Sequence, residues 1–186
     1  GGCSAFGVIS GIIASAPSIE DIDATPTGYL TTVLDNQGNQ TATLVASGSN
    51  RKYVTIDEIP INLQHAFVAI EDERFYDHNG IDLQGILRAG LKGVASGFHF
   101  SEGASTITQQ LLKNTVFTQW TSEQSMADKF ERKFQEQYLA LQLEKVVDKD
   151  WILENYLNAI NLGQNTLGVG VASERYFGKD VSELTL

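Results

Sequence analysis

Residues Glu71-Asp72-Glu73-Arg74-Phe75-Tyr76-Asp77-His78 set four carboxylates, an arginine and a histidine at the end of an apolar run, Ala66-Phe67-Val68-Ala69-Ile70. A carboxylate held against an apolar helix is a candidate general base, because lost hydration disfavours its charge. The same cluster is also what a solvated helix end looks like. A second segment narrows the chemistry. Beyond Ser105 or Thr106, either of which can cap a helix, Thr106, Gln109, Gln110, Lys113 and Asn114 recur at i, i+3, i+4, i+7 and i+8 on one face. A hydroxyl, amides and an ammonium together suit a ligand with many oxygens and negative charge, such as a sugar phosphate. A solvated amphipathic face is the plainer alternative. The third segment, Arg132-Lys133-Phe134-Gln135-Glu136, offers either an intrahelical ion pair worth roughly 0.3 kcal/mol or a second carboxylate, flanked by cations and facing Glu71. Paired carboxylates with cations beside them are what sugar transfer uses.

These side chains need rigid elements beneath them. Apolar spacing predicts helices over residues 61–72, 82–95, 105–113, 123–146, 149–159 and 168–176. The fourth carries Phe130, Phe134, Tyr138, Leu141 and Lys145 at helical intervals. Upstream, Tyr29–Leu34 and Ala42–Ala46 flank the turn-forming Asp35-Asn36-Gln37-Gly38-Asn39 and read as a β-hairpin, which an extended piece over Arg51–Ile56 could join. Gly93, Gly97 and Gly103, with Phe98 and Phe100 between them, read as a mobile loop. The expected fold is mainly α with a small N-terminal β-hairpin.

Composition sets outer bounds. A chain of 186 residues with 42% hydrophobic and 19% charged residues fits one ordinary globular domain. A net charge of −10 argues against a nucleic-acid partner, which would need a basic stripe. The single cysteine, Cys3, excludes an internal disulfide, and His65, His78 and His99 have no zinc-site spacing, so no metal site is expected. Residues 1–16 carry no charge. They fall short of the ~20 apolar residues that span a bilayer and lack the basic start of a signal peptide. They read as the outer end of a membrane anchor, followed by a linker and hairpin over 17–52 and the main domain over 53–186.

Five ordered motifs then carry a resemblance. They are Glu71-Asp72-x-x-Phe75-x-x-His78-x-Gly80, Gly103-x-Ser105-Thr106-Ile107-Thr108-Gln109-Gln110-Leu111-x-Lys113-Asn114, and Arg132-Lys133-x-x-Glu136. Ile152-Leu153-Glu154-x-Tyr156-Leu157-Asn158 and Arg175-Tyr176-Phe177-Gly178-Lys179 complete the set. Together they resemble the peptidoglycan glycosyltransferase domain of class A penicillin-binding proteins and their monofunctional relatives. The resemblance implies a lysozyme-like, two-lobed helical fold around a cleft near the membrane. It implies polymerisation of lipid II into β-1,4-linked glycan, with inversion and release of undecaprenyl pyrophosphate.

Carried over by position, Glu71 becomes the general base and Glu136 the second catalytic carboxylate, beside the leaving group. Ser105, Thr106, Gln109, Gln110, Lys113, Asn114, Arg132 and Lys133 become substrate-binding or support Glu136, while Asp72, Phe75, His78 and Gly80 shape the turn. No cofactor is required, although a divalent cation, magnesium or manganese, could sit at the donor pyrophosphate. The implied partners are lipid II, the growing glycan chain, the membrane, a fused transpeptidase domain and cell-wall machinery. The implied location is the extracytoplasmic face of a bacterial cell membrane, behind a single-pass anchor. Two departures stand out. Asp128, followed by Lys129, occupies a position where many relatives have an arginine, and the family domain usually continues past Leu186, so the domain reads as C-terminally truncated. Tyr156, Leu157, Tyr176 and Phe177 interleave with apolar positions and read as packing. The competing readings are a non-catalytic lipid II or wall-binding module and a lysozyme-like wall-degrading enzyme.

Overall fold

The computed structural model describes residues 2–21, 24–25, 31–34, 37, 40–44, 51–95, 103–117 and 125–186. In chain order the helices are α1 (Gly2–Ala14), α2 (Ile61–Glu71), α3 (Leu83–Ala95), α4 (Ile107–Thr115), α5 (Met126–Leu143), α6 (Lys149–Ala159) and α7 (Val169–Phe177). Short 3-10 turns occupy Ile19–Asp21, Ile56–Glu58 and Val181–Glu183. Between α1 and α2, β1 (Thr31–Leu34) pairs antiparallel with β2 (Gln40–Leu44), Thr31 opposite Leu44. Of the turn expected between them only Gln37 is described, so the structure supports two paired strands and no assigned hairpin turn. The fold is mainly helical.

The core explains the arrangement. Helix α4 has nine residues, too few to be stable alone in water. It is held between α5 and α6: Ile107, Leu111 and Leu112 are fully buried, with Leu139 and Ala140 of α5 and Ile152, Leu153 and Leu157 of α6. At about 2 kcal/mol for each large apolar side chain taken from water, this burial outweighs the poor intrinsic stability of so short a helix.

The helix starts are encoded locally. Thr106 caps α4 through a reciprocal pair: its Oγ1 accepts from the Gln109 N–H at 3.2 Å, and the Gln109 side chain accepts from the Thr106 N–H at 3.2 Å. Ser125 and Asp128 do the same for α5, at 3.1 and 3.3 Å. Asp148 caps α6 by accepting from the Trp151 N–H at 2.8 Å. Gly178 closes α7 in the left-handed conformation, φ 64°, its N–H donating to Glu174 O.

The extended piece before α2 is tied to α6 at Val54. Both backbone groups of Val54 go to Asn158 of α6: its N–H donates to Oδ1 at 2.9 Å and its carbonyl accepts from Nδ2 at 2.8 Å. Helix α3 runs on through Gly93 to Ala95; the rest of the expected loop, residues 96–102, lies outside the described residues. Helix α1 packs on α5, where Gln135 Nε2 donates to Ser15 Oγ at 2.9 Å. Among the described residues no helix is long and apolar enough to cross a membrane.

Candidate active site

The turn after α2 is fastened to the start of α4. Asp72, at the C-cap of α2, turns inward, and its Oδ2 accepts from the Ile107 N–H at 2.9 Å and from His78 Nε2 at 2.8 Å. The Ile107 N–H has no partner within its own helix, so Asp72 satisfies it and sets negative charge at the positive end of α4. His78 Nδ1 accepts from the Gly80 N–H at 3.1 Å, which assigns the ring proton to Nε2. Phe75 is fully buried, and Lys149 Nζ lies 4.5 Å from its ring centroid while donating to His78 O at 2.8 Å. Glu73 and Asp77 face water. The charged cluster therefore splits: alternate members point into the protein and hold the turn, leaving Glu71 exposed at the helix end.

Glu71 opens onto a cleft of about 370 Å³ that it shares with Gln110 and Lys113 of α4 and with Arg132, Lys133 and Glu136 of α5. Ser105, Gly103 and Ile70 complete its wall. Glu71 accepts from Gln110 Nε2 at 3.2 Å. Glu136 is almost wholly buried and accepts three hydrogen bonds, from Arg132 at 3.0 Å, Lys133 at 2.8 Å and Gln109 Nε2 at 3.1 Å. Lys133 also donates to Ser105 Oγ at 2.6 Å. A buried carboxylate is tolerated only when paired and hydrogen-bonded, and Glu136 meets both conditions. Among the described residues Lys113 forms no ion pair, and its side chain is exposed at the cleft.

The helical face seen in the sequence is thus divided by the packing. Gln110 and Lys113 line the cleft, whereas Thr106 and Gln109 are buried, one capping α4 and the other supporting Glu136. Asn114 is half-buried and lies outside the cleft wall. Asp128 and Lys129 do not line it either, and Asp128 caps α5. One residue that reads only as packing in the sequence contacts the site. The hydroxyl of Tyr156, from α6, donates to Gln110 Oε1 at 3.4 Å. Burial first, then the charges of Glu71 and Asp72, push its phenol above the ordinary range.

A smaller recess of about 160 Å³ adjoins the cleft and shares Glu71 and Ser105 with it. Its far wall is an ion network in which Arg74 pairs with both oxygens of Asp82, and Arg74 and Arg88 both pair with Glu73. Asp82 also caps α3, accepting from the Gly85 N–H at 3.0 Å. The hydrogen bonds from Arg74, then that from Gly85, hold the Asp82 carboxyl down at about 2 against the opposing effect of burial. A depressed carboxyl stabilises the fold above its unfolded pKa of about 4 and loses that contribution as pH falls through its folded value. Thermal melts of wild type and Asp82→Asn are therefore expected to differ most above about pH 4 and to converge as pH approaches about 2. A gap that stays constant across that range would remove this pair as a source of acid sensitivity.

A helical domain that gathers two carboxylates and three cations around one cleft has the arrangement of an enzyme for anionic, oxygen-rich substrates. The transglycosylase family profile matches residues 37–186, and the chain belongs to that family. It is 46% identical over 179 residues to penicillin-binding protein 1A of Clostridium perfringens strain 13, covering 94% of this chain and 25% of that protein. It is 43% identical over 186 residues to penicillin-binding protein 1A of Clostridium novyi, covering 98% of this chain and 21% of that one. The protein of the same name from Escherichia coli K12 is 48% identical over 133 residues, 72% of this chain and 15% of that protein. The chain thus spans a quarter or less of the length of these relatives.

Proposed function

We propose that this chain is the glycan-polymerising domain of a bacterial cell-wall synthase, acting on lipid II at the extracytoplasmic face of the membrane. The observation that carries the reading is the pairing of an exposed carboxylate, Glu71, with a cation-bound one, Glu136, in the same cleft. Family membership and the relatives' shared name support the same chemistry. The mainly helical fold is in keeping with a lysozyme-like, two-lobed domain.

A sugar hydroxyl is a poor nucleophile and needs a base within hydrogen-bond reach. Glu71 takes the proton from the acceptor's 4-hydroxyl as that oxygen bonds to the donor's anomeric carbon. The bond to the pyrophosphate breaks on the opposite face, so an α-linked donor gives a β product. The leaving pyrophosphate gains negative charge, which Lys113, Arg132 and Lys133 oppose. Glu136 acts beside the leaving group by holding Arg132 and Lys133 in place. The cleft's side chains do not fit a resident divalent cation: among the described residues no three acidic, histidine or cysteine side chains converge, and Glu136 is already bonded to Arg132, Lys133 and Gln109. A magnesium or manganese ion here would be held by the donor's own phosphate oxygens.

The apolar α1 and its contact with α5 support an anchor that keeps the cleft close to its lipid-linked donor. The greater length of the relatives supports a fused transpeptidase and a place in wall-building machinery. The test is incubation of the intact protein with fluorescent lipid II in detergent. Long glycan that lysozyme digests, with release of undecaprenyl pyrophosphate, is the expected product. Release of muropeptides from finished sacculi would instead identify a wall-degrading enzyme. Binding of lipid II with no turnover would identify a non-catalytic module.

A further inference from the structure

We propose that Tyr156 is a positioning residue for Glu71, acting through the Gln110 amide. The proposal rests on reading Glu71 as the general base of the reaction.

The polarity of the contact follows from the chemistry of its ends. An ionised carboxylate only accepts hydrogen bonds, so the group of Gln110 that meets Glu71 must be its NH₂, at 3.2 Å. That turns Oε1 towards α6, where Tyr156 must donate, at 3.4 Å. Without this hydroxyl the amide is free to rotate by half a turn and to present its oxygen to the carboxylate. Tyr156 is well placed to hold it. Its ring is fully buried and meets Phe67 edge-on, with centroids 6.2 Å apart. Phe67 lies one helical turn before Glu71 on α2, so α6 touches the Glu71 helix through packing and the Glu71 carboxylate through the amide. The other charged groups around Glu71 are Lys113, Arg132, Lys133 and Glu136 in the cleft, with Asp72, Glu73, Arg74, Asp82 and Arg88 in the adjoining recess. None of them contacts the Tyr156 hydroxyl in the described structure.

The test uses the intact protein with Tyr156→Phe, Gln110→Ala and the double variant. Each is measured for kcat and KM on lipid II, for the acid limb of the pH–rate profile, and for melting temperature. Tyr156→Phe is expected to lower kcat roughly three- to tenfold with KM nearly unchanged. It should also move the acid limb to higher pH, because a carboxylate that loses a donor is protonated more readily. The decisive arm is the double variant: with Gln110 already gone, removing the hydroxyl should change neither kcat nor the acid limb. Equal losses from Tyr156→Phe in both backgrounds would overturn the relay, as would a fall in melting temperature with no shift of the acid limb. Those results leave the base assignment standing. A wild-type protein that polymerises no lipid II would overturn the base and the relay together.

Discussion

Glu71→Gln in the intact protein is expected to slow lipid II polymerisation roughly 10²- to 10⁴-fold, the usual worth of a positioned base. The substitution keeps the side chain's shape and can still accept from Gln110, so the cleft should keep its form. What it removes is basicity, since an amide cannot take the acceptor's proton. Folding should be little affected, because Glu71 is exposed and Gln110 is the partner that the structure gives its carboxylate. A melting temperature within about 2 °C of wild type is therefore expected, as for surface substitutions that break no buried contact. Turnover measured on labelled lipid II, beside a melt of the same sample, checks both halves. Full activity would remove Glu71 as the base. A collapse of the melt with the activity would mean that its role is architectural.

The contrast between Glu71 and its immediate neighbour marks the limit of what the sequence could disclose. Only the resemblance gave Asp72 to the turn; the residue types of Glu71-Asp72-Glu73 do not tell which carboxylate enters the protein. That is decided when α2 ends and Asp72 finds the Ile107 N–H, 35 residues further along the chain. The α4 face was legible as a pattern, because polar residues recurred at helical spacing. Its division was not, because only the placement of α5 and α6 on either side determines that Thr106 and Gln109 are enclosed and that Gln110 and Lys113 stay open. Local signals served better. Ser125-x-x-Asp128 is a capping pattern, and its geometry gives Asp128 a role at the start of α5. The segment 51–55 has strand-like composition, yet both backbone groups of Val54 are taken by the side chain of Asn158, more than a hundred residues away. Tyr156 reads only as packing for the same reason: its ring follows the apolar pattern of α6, and its hydroxyl meets the side chain of Gln110 on another helix.

Gly80→Ala is expected to destabilise the fold by roughly 3 kcal/mol or more, as an overpacked site with a backbone strained for a residue with a side chain. Gly80 has φ of 106°, and a Cβ there would lie 2.6 Å from both the carbonyl carbon and oxygen of Ala140 in α5. The obstacle is helix backbone, so no side-chain rotation relieves it. Relief requires the turn to withdraw from α5. That movement would draw on the Thr106 Oγ1 bond to Gly80 O, at 2.6 Å, and on the Gly80 N–H bond to His78. The first ties the Glu71 turn to the start of α4 and the second holds the turn's own shape, so the activity that survives should fall as well. Gly90→Ala is the matched control. Gly90 lies inside α3, a Cβ there meets nothing within 4 Å, and its φ is not positive. Alanine there should stabilise by about 0.5–1 kcal/mol through helix propensity alone. Urea unfolding should move the midpoint down for Gly80→Ala and up or not at all for Gly90→Ala. Equal midpoints for the two variants would mean that the Gly80 turn can yield without loss, and that its close approach to α5 does not fix the site.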